Sequence, residues 1–226
     1  MISVIIPAYN EEKTLPGTLR ALFRQPGVFE VIVVDGGSSD GTRELARDYA
    51  GVRLLTAPKG RASQMNAGAR AASGEWLLFL HADTQLPDNA LSRLDQWEAD
   101  PHYQAGGFTQ RFSGDDWRLR LVSFLDNVRC RRTRIIFGDQ ALFVRRALFQ
   151  SLGGFPEQPI LEDVAFGQKL VQTVTPVLLE DCVITDSRKF VQSGIWRSLY
   201  RCVAILTRIE LGLPIARSYP FFKDIR

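Results

Sequence analysis

MISVIIPAYNEEKTLPGTLRALFRQPGVFEVIVVDGGSSDGT, residues 1–42, is the stretch whose reading decides the fold. Two apolar runs, Ile2–Ile6 and Phe29–Asp35, flank a segment that places Leu15, Leu19, Leu22 and Phe23 on one face of a helix over Thr14–Arg24. A short Val/Ile run with little polar alternation is the pattern of a strand covered on both faces. The unit then repeats. Thr42–Tyr49 reads as a helix, Val52–Thr56 as a strand and the Ala-rich Arg61–Ala72 as a helix. Trp76–Leu80 is a fourth strand, and Asp88–Glu98 a further helix behind Pro87. Strands alternating with helices predict an α/β domain with a mostly parallel sheet flanked by helices.

After residue 100 the alternation breaks. A strand is expected from Gly106-Gly107 to Phe112, a basic helix over Trp117–Arg132 and a strand over Ile135–Val144. A helix over Glu162–Val171, short strands at Val177–Leu179 and Cys182–Thr185, and a last helix over Ser193–Leu211 complete the reading. No repeat, low-complexity tract or linker interrupts it. The expected organisation is one α/β domain over 1–190 and a C-terminal amphipathic helical appendage over 191–226.

Composition excludes several classes. Hydrophobic residues make up 45% and charged residues 23%, a globular profile. Cys130, Cys182 and Cys202 are odd in number and far apart, which argues against a disulfide scaffold or a zinc site and for a reducing compartment. The N-terminus lacks a signal-like basic and apolar pattern, and no apolar run reaches the roughly 18 residues of a spanning helix. A cytoplasmic location is therefore expected. The net charge of +3 is uneven: 117–138 carries +5 and 188–226 carries +6, leaving −8 elsewhere. Such asymmetry suits either an anionic partner or a solvated basic surface.

Ligands of open α/β sheets bind beyond the carboxyl ends of the strands. Here those ends are Pro7-Ala8-Tyr9-Asn10, Asp35-Gly36-Gly37-Ser38 and His81-Ala82-Asp83. Asp35 stands before a glycine turn that permits close ligand approach, or simply caps a βα turn. On an extended chain His81 and Asp83 share one side, and Gln85 lies two residues on. That set could hold a divalent cation against a diphosphate, with imidazole suiting Mn2+ and oxygen ligands suiting Mg2+. Glu162-Asp163 opens a helix, whose dipole keeps a carboxylate ionised and able to accept a proton.

Taken together these segments resemble the family-2 glycosyltransferases of the GT-A fold. Val4–Glu12 looks like that family's first-strand motif, Val33–Thr42 its second and Gly60–Gly68 its third. Phe79–Thr84 sits where the family carries its metal-binding DxD. Gly153-Gly154-Phe155 through Glu162-Asp163 resembles the segment with the catalytic base. The resemblance covers roughly 1–185 and is similar to a bacterial subgroup of poorly defined substrate. It implies that Pro7, Ala8, Tyr9 and Glu11 border the nucleobase and ribose, that Asp35 contacts the base, and that Arg61 and Asn66 read the nucleotide or its phosphates. Ala82 lies within the donor-binding DxD segment. Asp83, with His81 and Gln85, would ligate the metal, and Asp163, beside Glu162, would be the general base.

The reaction so implied moves a sugar from a UDP- or GDP-sugar to a hydroxyl acceptor with inversion, assisted by Mn2+ or Mg2+. Two positions depart from the family pattern: Gly36 replaces a second aspartate, and His81 replaces the first aspartate of the DxD. A non-catalytic nucleotide-sugar-binding protein and a sugar nucleotidyltransferase are the alternatives. The latter is disfavoured because no glycine-rich basic loop follows the first strand. The stripe Ile195, Leu199, Cys202, Leu206 and Ile209, opposite Arg197, Arg201 and Arg208, reads either as a packed helix or as one lying at a membrane surface near a lipid-linked acceptor. The arginines of 129–134 lack any nucleic-acid-binding signature, so no nucleic-acid partner is expected.

Overall fold

The computed structural model describes residues 1–97, 100 and 102–210, except the side chains of 206, 209 and 210. Strand β1 (Ile2–Ala8) is buried along its whole length and lies between two parallel neighbours, β2 (Phe29–Asp35) and β4 (Trp76–Phe79). Strand β3 (Val52–Thr56) extends the parallel block beyond β2. The bounds of β2 and β3 are those the apolar runs predict. Alternate residues of β1 serve opposite faces, as a period of two requires. Ile2, Val4 and Ile6 join one core with Leu15, Leu19 and Leu22 of helix α1 (Leu15–Leu22). Ile5 joins a second core with Met65 and Ala69 of helix α3 (Arg61–Ala71). Helices α2 (Thr42–Asp48) and α4 (Ala90–Gln96) complete this half. Glu98, placed in the last of these by the sequence, lies outside the described residues.

The second half adds antiparallel pairing. One eight-stranded sheet runs β3-β2-β1-β4-β7-β6-β8-β5, with β5 at Thr84–Gln85, β6 at Ala105–Phe112, β7 at Phe143–Arg145 and β8 at Val177–Thr185. Strand β7 is antiparallel to β4 and β6, β6 is parallel to β8, and β5 is antiparallel to β8. The four-residue connection between β4 and β5 forces a curl. Five residues reach at most about 18 Å, whereas four strand spacings across a flat sheet span about 19 Å. The curl carries the end of β8 back beside the end of β4.

Two expectations are corrected. Residues 135–144 do not form a strand: Gly138–Gln140 is a 3-10 turn, and pairing begins only at Phe143. Gly138-Asp139 is turn-forming, and Ala141 takes a left-handed φ of 48° that a strand does not allow. The two short strands at 177–185 are one strand with a bulge, since Phe108 pairs with Leu179 and Thr109 with Cys182. The bulge carbonyls of Glu180 and Asp181 accept from Thr109 Oγ1 at 3.0 and 3.1 Å.

Helices α5 (Trp117–Thr133), α6 (Arg146–Ser151), α7 (Glu162–Thr173), α8 (Arg188–Ser193) and α9 (Ile195–Glu210) follow. Helix α9 packs on the sheet domain through two small clusters. Ile195 and Leu199 meet Phe112, Leu119 and Val122, and Ile205 meets Leu161 and Val164. Leu211 and residues 212–226 of the expected appendage lie outside the described residues. Three arginines of α5 are paired with acids: Arg118 with Asp116, Arg129 with Asp126 and Arg131 with Glu180 of β8.

Candidate active site

One cleft of about 1130 Å³ runs along the carboxyl ends of the parallel strands. Tyr9 and the segment from Pro58 to Gln64 line one end; His81, Asp83 and Asp163 line the middle; helices α5 and α9 wall the other end. The register that pairs Ala8 with Asp35 brings the first two strand ends together, and Ile5 with Phe79 brings in the third.

At the first end Lys59 Nζ lies 4.1 Å from the centre of the Tyr9 ring. The α3 N-terminus, which opens with Gly60 and Arg61, faces the cleft, a position where free backbone N–H groups favour an anion. Arg61 binds Glu162 through Nε at 2.7 Å. Burial opposes the guanidinium's charge, but Glu162, then Asp163 and Asp139, hold its pKa up. Burial also raises Glu162 above the usual carboxylate range despite Arg61.

Several predicted donor residues are occupied by the protein itself. Asp35, buried, accepts from the N–H groups of Gly37 and Ser38 at 3.0 and 3.2 Å. Asn66 holds the backbone of Phe155 with both ends of its amide, at 2.8 and 3.0 Å. Pro7 and Ala8 are buried in β1, and the Ala8 carbonyl accepts from Gln64 Nε2 at 2.7 Å. Gln64 also reaches the Val34 carbonyl at 2.8 Å. This explains Gly36: a Cβ there would lie 3.0 Å from the Gln64 amide, so an aspartate and this glutamine compete for one space. Ala82 is buried and its carbonyl accepts from Thr18 Oγ1.

Residues 81–84 form a turn, with Thr84 N–H donating to the His81 carbonyl at 3.1 Å, rather than the extended segment the spacing suggests. His81 and Asp83 nevertheless both line the cleft. Gln85 is exposed on β5 and borders a separate recess that also touches Asp83. Strand β8 ends beside this turn, where Asp186 N–H donates to the Asp83 carbonyl at 3.0 Å. Two cations from α8 follow: Arg188 Nη2 and Lys189 Nζ stand 3.8 and 3.7 Å from Asp83 Oδ2. Arg188 also pairs with the buried Glu11. Neither cation was singled out in the sequence, where they read only as part of a basic tail.

For a divalent cation, Asp83 and His81 supply two donors, and no group of three His, Cys, Asp or Glu side chains suited to a metal occurs among the described residues. With Arg188 and Lys189 at Asp83 Oδ2, that set would suit only an ion whose other ligands come from water and substrate phosphates rather than a closed protein cage.

Asp163 opens α7 and lines the cleft. Its Oδ2 accepts from Gly138 N–H and its Oδ1 from Val164 N–H, each at 2.8 Å. A Cβ at Gly138 would lie 2.7 Å from His81 Nε2 and 3.3 Å from Asp163 Oδ2, so any larger residue there would displace the imidazole. The next residue, Asp139, also lines the cleft, and its carboxyl is pushed up to about 7 by burial and by Asp126 and Asp163. The strand reading of 135–144 hid it; an acidic residue after glycine inside an apolar run was the available signal.

A curled, mostly parallel sheet with acidic strand ends and a helix-borne carboxylate facing one cleft defines the GT-A class of fold. The chain belongs to glycosyl transferase family 2, whose model matches residues 3–152. A PGL/p-HBAD biosynthesis glycosyltransferase of Mycobacterium bovis is 33% identical over 171 residues, covering 69% of this chain and 63% of that protein. An undecaprenyl-phosphate 4-deoxy-4-formamido-L-arabinose transferase of Aeromonas hydrophila is 36% identical over 138 residues, covering 56% of this chain and 42% of that one. The chain thus spans less than two thirds of the length of these relatives. Among solved structures, the mannosyltransferase PcManGT from Pyrobaculum calidifontis, in complex with GDP-Man and Mn2+, superposes with a TM-score of 0.65 at 24% identity, covering 81% of this chain and 56% of that one. S. aureus TarS in complex with UDP-GlcNAc gives 0.64 at 21% identity, covering 82% and 58%. At these identities the likeness concerns the fold.

Proposed function

We propose that this chain transfers a glycosyl group from a nucleoside diphosphate sugar, UDP- or GDP-linked, to an acceptor hydroxyl with inversion at the anomeric carbon. The observation that carries the reading is the placement of Asp163 and Asp83 in one cleft, with Tyr9, Lys59 and Arg61 at its nucleotide end. Asp163 removes the acceptor's hydroxyl proton, the acceptor oxygen bonds to the anomeric carbon, and the bond from that carbon to the diphosphate oxygen breaks. The two N–H groups on Asp163 aim its carboxylate before the donor arrives. Glu162 fixes Arg61 so that its charge faces the departing diphosphate. Arg188 and Lys189 add positive charge beside Asp83. Asp83 and His81 would hold Mn2+ or Mg2+, which supplies Lewis-acid neutralisation of the leaving group when bound. Gln85, Asn66 and Asp35 support the site from outside the cleft lining.

A lipid-linked acceptor is supported by the apolar far wall of the cleft and by the undecaprenyl lipid, though not its phosphate, in the name of the Aeromonas relative. No helix among the described residues is long and apolar enough to cross a membrane. Contact with a membrane surface is supported by the exposed Trp117, Phe124, Trp196, Tyr200 and Val203 of α5 and α9. Release of nucleoside diphosphate from UDP-glucose, UDP-GlcNAc and GDP-mannose, measured with Mn2+, Mg2+ or chelator, tests the donor. Binding without release from any donor would favour the non-catalytic alternative.

A further inference from the structure

The acceptor side of the cleft carries polar chemistry that the transfer mechanism does not use. Gln110, on β6, is 1% exposed and lines the cleft, yet neither its amide nitrogen nor its amide oxygen has a hydrogen-bond partner. Asp126 Oδ2 and Asp139 Oδ1 are likewise buried, unpartnered and on cleft-lining residues. Buried polar atoms are rarely left this way, because each unmade bond costs about 1–3 kcal/mol.

The surroundings hold these atoms in place. The backbone N–H and carbonyl of Gln110 are both bonded to the Asn127 amide of α5, at 2.9 Å each. Arg129 donates through Nε to Asp126 Oδ1 at 2.9 Å and through Nη1 to the Ile135 carbonyl at 3.0 Å. Its guanidinium lies 3.3 Å from the centre of the Phe137 ring. Asp126 is thus gripped on one oxygen and open on the other. Asp139 is carried beside Asp163 by the 3-10 turn.

We propose that Gln110, Asp126 and Asp139 form the acceptor subsite and that it takes a polyhydroxylated head group, a glycosyl or cyclitol ring. The inference rests on the transferase reading above. The argument from chemistry is one of matching. Gln110 Nε2 needs an acceptor, and the three oxygens need donors. An ammonium cannot accept from Gln110, a metal ion cannot ligate its amide nitrogen, and a phosphate dianion has no hydrogen to donate to the unpartnered oxygens. Hydroxyls both donate and accept, and a ring bearing several of them satisfies all four atoms while offering one to Asp163. The apolar side chains of Val122, Leu125, Leu199 and Val203, also on the cleft, suit the C–H face of such a ring or an apolar stem behind it.

The test is an acceptor panel with whichever donor is turned over: methyl glycosides, octyl glycosides, n-octanol and octyl phosphate at matched concentration. Transfer to glycosides with little to octanol or octyl phosphate is expected. Methyl glycosides used as well as octyl glycosides identify a free sugar; octyl glycosides preferred identify a glycolipid. Equal use of octanol, preference for octyl phosphate, or donor hydrolysis with no glycoside used overturns the subsite. No nucleotide release from any donor removes the transferase reading and this one with it. Gln110→Leu provides an independent readout, because a purely structural glutamine would lose stability. It is expected to keep or raise Tm, raise the acceptor KM about tenfold or more, and leave the affinity for UDP or GDP within about twofold. If Gln110→Leu does not fold, Gln110→Met is measured the same way. An unchanged acceptor KM in a folded variant means that water alone fills the bay and refutes the proposal.

Discussion

The two ends of the cleft treat their polar side chains in opposite ways. At the donor end, Asp35, Gln64 and Asn66 are buried and bonded to backbone within the fold. At the acceptor end, Gln110 is buried and Asp126 and Asp139 half-buried, each with a buried side-chain atom left unpartnered. The first arrangement makes a rigid rim, beside which the phosphates of the proposed donor would meet backbone N–H groups and cations. The second leaves hydrogen-bonding capacity for a ligand to complete, at a cost in stability of the apo protein. On the proposed function, donor and acceptor recognition should be separable by mutation.

The largest effect belongs between the two ends. Asp163→Asn is expected to lower kcat by about 10²–10⁴-fold while nucleotide affinity stays within about threefold. Steady-state kinetics paired with calorimetric UDP or GDP titration checks it, and near-normal turnover would reassign the base. Asn66→Ala probes the donor rim: two bonds to Phe155 are lost and its backbone groups are left buried, so unfolding free energy should fall by about 2–4 kcal/mol. Denaturant midpoints measure this, and a large change in donor KM with intact stability would instead make Asn66 a nucleotide ligand.

Asp139→Asn probes the acceptor end through pH. The folded protein holds the Asp139 proton up to about 7, well above the ordinary carboxylate value of 3.8. Between those values the folded state binds more protons than the unfolded one, so this group's contribution falls as pH rises. The variant should gain stability relative to wild type by about 1–3 kcal/mol at pH 7.5 and show no gain near pH 4. Thermal melts across that range decide it; a gain that is flat with pH would show that ionisation of Asp139 is not its source. The smallest effect is expected from Arg131→Ala. Its exposed pair with Glu180 lies away from both ends, and stability should change by less than about 0.5 kcal/mol.

The parallel half was legible because each of its strands is a near-continuous apolar run closed by a turn, and local patterning suffices to mark such elements. That Asp83 and Asp163 share one cleft was legible from motifs in order, while their roles rest on the proposed function. The 3-10 turn at Gly138–Gln140, the two-residue β5 and the bulge in β8 were not, since each depends on pairing with distant chain. Residues 188 and 189 illustrate the limit. Nothing within several residues of them announces a ligand, and only the curl of the sheet brings them to Asp83.

Sequence by itself determined the α/β class, two strand ends that border the cleft, at Tyr9 and at His81–Asp83, and the carboxylates of Asp83 and Asp163 that line it, because periodicity and turn chemistry are local properties of the chain. Only the tertiary structure decided which polar groups the protein satisfies within itself and which it leaves to a ligand. Hydrogen-bond satisfaction depends on partners far apart in sequence, as Asn66 with Phe155 and Gln110 with Asn127 show.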